Sequence, residues 1–164
     1  MNALGESEFV ERFGGVFEHS PWVAQRAWAE RPFASVHVLH HAMMRTVAQA
    51  ANDERLALIR AHPELAGAEA KEGSLTADSS SEQARLGFTA LSKDEFFLIT
   101  RMNREYRQKF GFPCIVALRL HATRESAMAE IERRLASDPG TEMQHALEQI
   151  GHITRARLAK ILNG

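Results

Sequence analysis

Apolar positions in this chain recur every three or four residues through most of its length, the spacing of helices with one buried face. Ser7 is placed to cap a first helix with Phe9, Val10, Phe13 and Phe17 inward, weakened by Gly14-Gly15. Ser20-Pro21 reads as a cap followed by proline at the first helical position. The second helix then runs through Trp22, Val23, Ala27 and Trp28 and stops before Pro32. Ser35 opens a third, to about Ala51, with Val36, Leu39, His40, Met43 and Val47 on its inward stripe. Asn52 to Ala61 is a short fourth helix, with Asn52 as cap and Leu56 and Ile59 on one face. Pro63 ends it, because the residue before a proline is pushed out of the α region.

Glu64 to Asp78 is the longest irregular stretch, and long loops in compact domains tend to be functional. Ser92-Lys93-Asp94-Glu95 is a capping box ahead of a long helix whose face carries Phe96, Ile99, Asn103, Tyr106 and Phe110. Asn103 puts an amide on that face, and a buried amide needs partners. In Phe110 to Leu118, Gly and Pro set a turn, and the apolar run after it is either extended or a short buried helix. Thr123 to Ala136 is helical again, with Ala127, Met128, Ile131 and Leu135 on one side. Asp138-Pro139 starts the last helix, which carries Met143, Leu147, Ile150, Ile153, Leu158 and Ile161. No strand pair, repeat or low-complexity linker interrupts this pattern. The expected fold is all-α, a compact single-domain bundle of about seven or more helices over residues 1–164.

Composition narrows the function classes. The chain has 20 Lys and Arg against 21 Asp and Glu, a balance that points to neither nucleic acid nor an acidic membrane surface. Cys114 is the lone cysteine, so there is no internal disulfide and no thiolate cluster for zinc. No apolar run approaches the roughly 20 residues of a membrane span. The N-terminus lacks a signal pattern and Ile161-Leu162-Asn163-Gly164 is no peroxisomal address, so a cytoplasmic setting is expected.

Candidate chemistry gathers between Arg60 and Gln83. His62 follows a helix end, where the macrodipole favours an imidazolium, and with a carboxylate nearby it suits proton transfer. The bland reading is a plain His-Pro stop signal. Glu82 is the carboxylate candidate, although Ser79-x-x-Glu82 is also a capping box and Glu82 then only closes a helix start. Gln83 beside it suits an amide or ureido group. In the last helix, at ~100° per residue, Arg157 falls about 20° from Ile150, while Arg155 points away. An inward guanidinium needs an anionic partner, either a carboxylate of the chain or a substrate. His40-His41 with His62 lacks metal-ligand spacing, and no metal is expected. Met43-Met44, Phe96 and Phe97 read as core, and Cys114 as a buried small hydrophobe.

Several short pieces occur in a fixed order: Ser20-Pro21-Trp22, Arg31-Pro32-Phe33, His62-Pro63-Glu64-Leu65-Ala66-Gly67, Leu75-Thr76 and Ser79 through Gln83. Asn103-x-x-Tyr106, Lys109-Phe110-Gly111-Phe112-Pro113 and Arg157-Leu158 complete the set. Together they resemble the 2-oxo-4-hydroxy-4-carboxy-5-ureidoimidazoline (OHCU) decarboxylases, which act last in the route from urate to allantoin. The resemblance implies an all-helical, typically dimeric enzyme that needs no cofactor and yields (S)-allantoin. It places the catalytic roles on His62, Glu82 and Arg157. Substrate binding falls on Pro63, on Ser79, Ser80, Ser81, Glu82 and Gln83, and on Cys114, Ile115, Val116, Ala117 and Leu118. One departure is Cys114, where the family pattern usually has phenylalanine; this bears on a side-chain contact there and not on a backbone one. Two other readings use the same residues: a helical ureide-binding module without turnover, and a metal-dependent ureide hydrolase using His40, His41 and His62.

Overall fold

The computed structural model describes residues 1–163, and among them the chain forms nine α-helices, one 3₁₀ turn and no strand. By its contacts it divides into two compact units, Met1–Ala61 with the segment from Gly151 onward, and His62–Ile150. The fold is all-α, as the periodicity requires.

The first unit contains α1 (Glu6–Phe13), α2 (Trp22–Trp28), α3 (Val36–Gln49), α4 (Asn52–Arg60) and the C-terminal part of α9 (Pro139–Asn163). Leu39, His40, Met43 and Val47 of α3 are buried as their spacing requires, and Val36 is half-buried. On α4 the buried pair is Leu58 and Ile59 rather than Leu56 and Ile59.

Three helix starts of the first unit differ from expectation. α1 is capped at Gly5, whose N–H donates to Glu8 Oε2 at 3.1 Å, so Ser7 lies inside the helix. α4 is capped at Ala51, whose N–H donates to Glu54 Oε2 at 3.1 Å, so Asn52 is its first residue. In both, a glutamate in the first turn reaches back to the free N–H and starts the helix earlier than the hydroxyl or amide side chain would. At α2 the cap is Pro21 itself, and the Ser20 hydroxyl donates to the Glu18 carbonyl at 3.0 Å.

The second unit contains α5 (Ala68–Glu72), α6 (Ala77–Arg85), α7 (Lys93–Phe110), the 3₁₀ turn Leu118–Leu120, α8 (Arg124–Arg134) and the start of α9. The stretch read as irregular thus holds α5 and the first residues of α6. The Ser92 box holds in both directions: Glu95 N–H donates to Ser92 Oγ at 3.3 Å, and Ser92 N–H to Glu95 Oε2 at 2.8 Å. Gly111 ends α7 at φ 77°, the left-handed C-terminal stop. Beyond it the apolar run is irregular from Pro113 to Ala117, then turns into the 3₁₀ segment, and Cys114 to Leu118 are all buried.

On α8 the inward position of the last turn is Arg134, 1% exposed, rather than Leu135. Its Nε donates to Glu142 Oε1 at 2.6 Å, its Nη2 to the Tyr106 hydroxyl at 3.3 Å, and its Nη1 to the Ile115 carbonyl. Tyr106 donates to the same glutamate oxygen. A desolvated guanidinium is retained only when its donors are met this fully. The network therefore ties α7, α8 and α9 to the segment that follows Pro113. Among the described residues no helix is long and apolar enough to cross a membrane.

Candidate active site

His62 stands two residues past the end of α4, yet it is buried, 4% exposed, where a helix-end histidine is expected to be half in solvent. The residues after it explain why. Glu64, Leu65, Ala66 and Gly67 are all buried, and buried loop backbone must find hydrogen-bond partners. Gln83 of α6 supplies two: its Oε1 accepts from Ala66 N–H at 2.9 Å, and its Nε2 donates to the Glu64 carbonyl at 3.2 Å. Asn103 of α7 donates to the Leu65 carbonyl at 2.9 Å, the partner its place on an apolar face demands. The Glu64 carboxylate takes a two-point bond from Arg107, Nε to Oε1 at 3.0 Å and Nη2 to Oε2 at 2.5 Å. Ala66 is left-handed at φ 51°, and Gly67 leaves no room for a Cβ, which would meet Glu64 Cβ at 2.9 Å. The loop from His62 to Gly67 is thus one fixed shape.

The run Ser79 to Gln83 lies inside α6. The cap of that helix is Thr76, whose Oγ1 accepts from Ser79 N–H at 3.3 Å. The capping reading of Ser79 and Glu82 therefore fails, because Thr76 starts the helix three residues earlier. Ser79 and Gln83, four apart, share the buried face; Glu82 is half-buried, and Ser80 and Ser81 are exposed. α6 also reaches the third predicted stretch. Arg85 Nη2 donates to the Leu118 carbonyl and, at 3.2 Å, to that of His121. Within the second unit, then, α6 holds the His62 loop through Gln83 and the Cys114–Leu118 segment through Arg85. Ala117 N–H of that segment donates to Gln149 Oε1 at 2.8 Å. Burial pushes the Cys114 thiol up to about 12, so the side chain is a protonated, apolar group at neutral pH.

Arg157 belongs to the first unit. It is 4% exposed while Arg155 is exposed, as the helical geometry requires. Its Nη1 donates to Glu18 Oε2 at 2.6 Å, and Glu18 is itself buried, so a carboxylate of the chain supplies the anionic partner. His40, also in the first unit, is buried, with Nε2 3.0 Å from Thr154 Oγ1. Burial, with Arg155 and the neighbouring His41 and His37 opposing a positive charge, lowers it to about 4, against a bond to the Gly151 carbonyl. Among the described residues no group of three His, Cys, Asp or Glu side chains is placed to hold a metal ion.

Two clefts open on the second unit. One, of about 330 Å³, is lined by Glu64, Gly67, Lys71, Asn103, Arg104 and Arg107 among others; the second, about 510 Å³, lies between Lys71, Phe88, Leu91 and Phe96. Neither is lined by His62, Glu82 or the Cys114–Leu118 segment. Both are lined by Ala66 of the His62 loop, and the first also by its supports Asn103 and Arg107.

Sequence reasoning missed Glu18, Arg85, Arg107, Arg134 and Glu142. Arg134 was findable, since at ~100° per residue it falls about 20° from Ala127 on the inward face. Glu18 carries no such signal, because it lies in an irregular turn between α1 and α2.

The OHCU decarboxylase family model matches residues 2–159 of the chain. A 2-oxo-4-hydroxy-4-carboxy-5-ureidoimidazoline decarboxylase of Haloferax volcanii is 38% identical over 160 residues, 98% of this chain and 92% of that protein. The mouse protein of the same name is 33% identical over 162 residues, 99% of this chain and 90% of its own length. A uric acid degradation bifunctional protein of Bacillus sp. (strain TB-90) is 38% identical over 161 residues, 98% of this chain but 31% of that protein. Among solved structures, an (S)-allantoin synthase superposes with a TM-score of 0.77 at 27% identity, covering 97% of this chain and 51% of that one. An OHCU decarboxylase determined in the presence of (S)-allantoin has the same fold, with a TM-score of 0.71 at 20% identity over 98% of this chain and all of that one.

Proposed function

The chain belongs to the OHCU decarboxylase family, and from that membership we infer that it is a carboxy-lyase converting 2-oxo-4-hydroxy-4-carboxy-5-ureidoimidazoline to (S)-allantoin in urate breakdown. The observation that carries this reading is the match from residue 2 to residue 159, which runs through both contact units. It also supports treating residues 1–164 as one OHCU decarboxylase domain.

The residue types suit the reaction. Loss of CO2 leaves an electron pair on the ring carbon, delocalised into the adjoining C=N and C=O groups, so the substrate supplies its own electron sink. The protein then has to orient the carboxylate, hold the developing charge and deliver a proton to one face. We assign the proton to His62, whose backbone is fixed by the bonds to the residues that follow it. Glu82, half-buried on α6, tunes His62 and receives the ureido arm. Gln83 shares that arm, with the second N–H and second lone pair its two loop bonds leave over. Pro63 and the serines Ser79, Ser80 and Ser81 line the approach. The backbone of Cys114, Ile115, Val116, Ala117 and Leu118 orients the ring, and the departure from phenylalanine at Cys114 does not touch that role. Arg157 is the third catalytic residue on the resemblance alone. A homodimer and a cytoplasmic setting complete the reading.

The test generates the short-lived substrate enzymatically in the presence of the purified protein and follows the circular dichroism of the allantoin formed. (S)-allantoin is expected to appear faster than in buffer, with chelators without effect. A folded protein that binds the ureide and gives no acceleration, or one silenced by chelation, overturns the assignment.

A further inference from the structure

Asn103 and Arg107 lie four residues apart on α7, so their side chains leave the helix on one face. Both end on the segment just after His62, Asn103 on the Leu65 carbonyl and Arg107 on the Glu64 carboxylate. Both line the cleft of about 330 Å³ that includes neither His62 nor Glu82. Neither is among the residues assigned to the reaction, and both hold the His62 loop through the residues that follow Pro63. The loop needs such support. Ala66 sits at φ 51°, a conformation that costs a residue with a Cβ about 1 kcal/mol or more and persists only where its surroundings enforce it.

We propose that Asn103 and Arg107 are positioning residues for His62, holding the loop that presents its imidazole. The proposal rests on the reading of His62 as the proton donor. The chain of contact is short: α7 fixes Leu65 and Glu64, which lead directly into the left-handed Ala66, and Glu64 is separated from His62 by Pro63 alone. Proline's fixed φ transmits the loop's orientation to the histidine with little slack. Arg107 is 59% exposed at its side chain while Glu64 is 8% exposed. Its fork is what neutralises a buried carboxylate.

A loop anchored for stability alone predicts a lower melting temperature with unchanged turnover. Positioning predicts more. Asn103→Leu keeps the branched shape and removes the donor, and its kcat is expected to fall by about 10- to 100-fold, the cost of a small misplacement of a reacting group. Arg107→Ala, a change at a largely exposed side chain, is expected to fold and to lose several-fold, with Arg107→Lys recovering part of it because charge is kept and the fork is lost. In each impaired variant the ring signals of His62, assigned in the apo protein by comparison with His62→Ala, are expected to shift. Shifted signals with reduced turnover support the proposal. Shifted signals with normal turnover support the positioning and remove His62 from the chemistry. Unshifted His62 signals in folded Asn103→Leu or Arg107→Ala protein overturn the proposal, whatever the turnover; if Asn103→Leu does not fold, Arg107→Ala decides.

Discussion

His62 is as buried as the core residues around it, and this changes what its removal should do. A surface histidine would be lost at little cost, whereas His62→Ala leaves a cavity and is expected to destabilise by about 1–3 kcal/mol in urea unfolding. Turnover in the folded fraction should vanish; full activity there would end the proton-donor assignment. Glu82 and Thr76 separate in the same way. With Thr76 as the cap of α6, Thr76→Ala should cost about 1 kcal/mol and spare the chemistry. Glu82→Gln should leave stability nearly unchanged and remove most of the activity, and an active Glu82→Gln enzyme would make Glu82 a bystander. Cys114, its thiol raised by burial, should resist alkylation in the native protein at neutral pH and react only on unfolding.

At the scale of elements, α9 gives the cleanest contrast. Arg155→Ala on its exposed side should change stability by no more than about 0.5 kcal/mol. Arg157→Ala removes the guanidinium from the buried Glu18 carboxylate and should cost about 3–5 kcal/mol. For the same reason Arg157→Met is expected to destabilise unless Glu18→Gln accompanies it. Thermal melts of the single and double variants, with calorimetry of (S)-allantoin binding, separate the ion pair from any substrate contact. Helical period was legible because burial selects it directly: it fixed the inward side of α3 and α7 and the opposite directions of Arg155 and Arg157. The same period marks Arg134 on α8, a charged residue on an apolar face like Arg157 on α9. Helix starts were less legible, since serine and asparagine near a start compete with glutamates that reach back from the first turn. The tertiary partners Glu18, Arg85 and Gln149 were not legible, because they meet groups far away along the chain and leave no local spacing to read.

For the molecule as a whole, His40 sets an acid limit. Its folded-state value of about 4 lies below the ordinary 6.5, so the unfolded chain binds the extra proton more readily. The stabilisation is complete above about pH 6.5 and is lost as pH falls towards 4, on the order of 2 kcal/mol after allowing for partial solvent access. Denaturation midpoints at pH 7 and pH 4.5 should differ more for the wild type than for His40→Gln; equal differences would acquit His40. The bond from Ala66 N–H to Gln83 carries a consequence of another kind. That amide belongs to no helix, so its exchange with deuterated solvent has to wait for the His62 loop to lift off α6. Its protection factor is then a gauge of the loop's own opening, to be read beside the amides at the centre of α7. If Ala66 exchanges orders of magnitude faster than those, the loop breathes while its unit stays folded. If the two keep the same pace, through added denaturant as well, the loop opens only when the whole second unit unfolds, and the histidine is never released on its own.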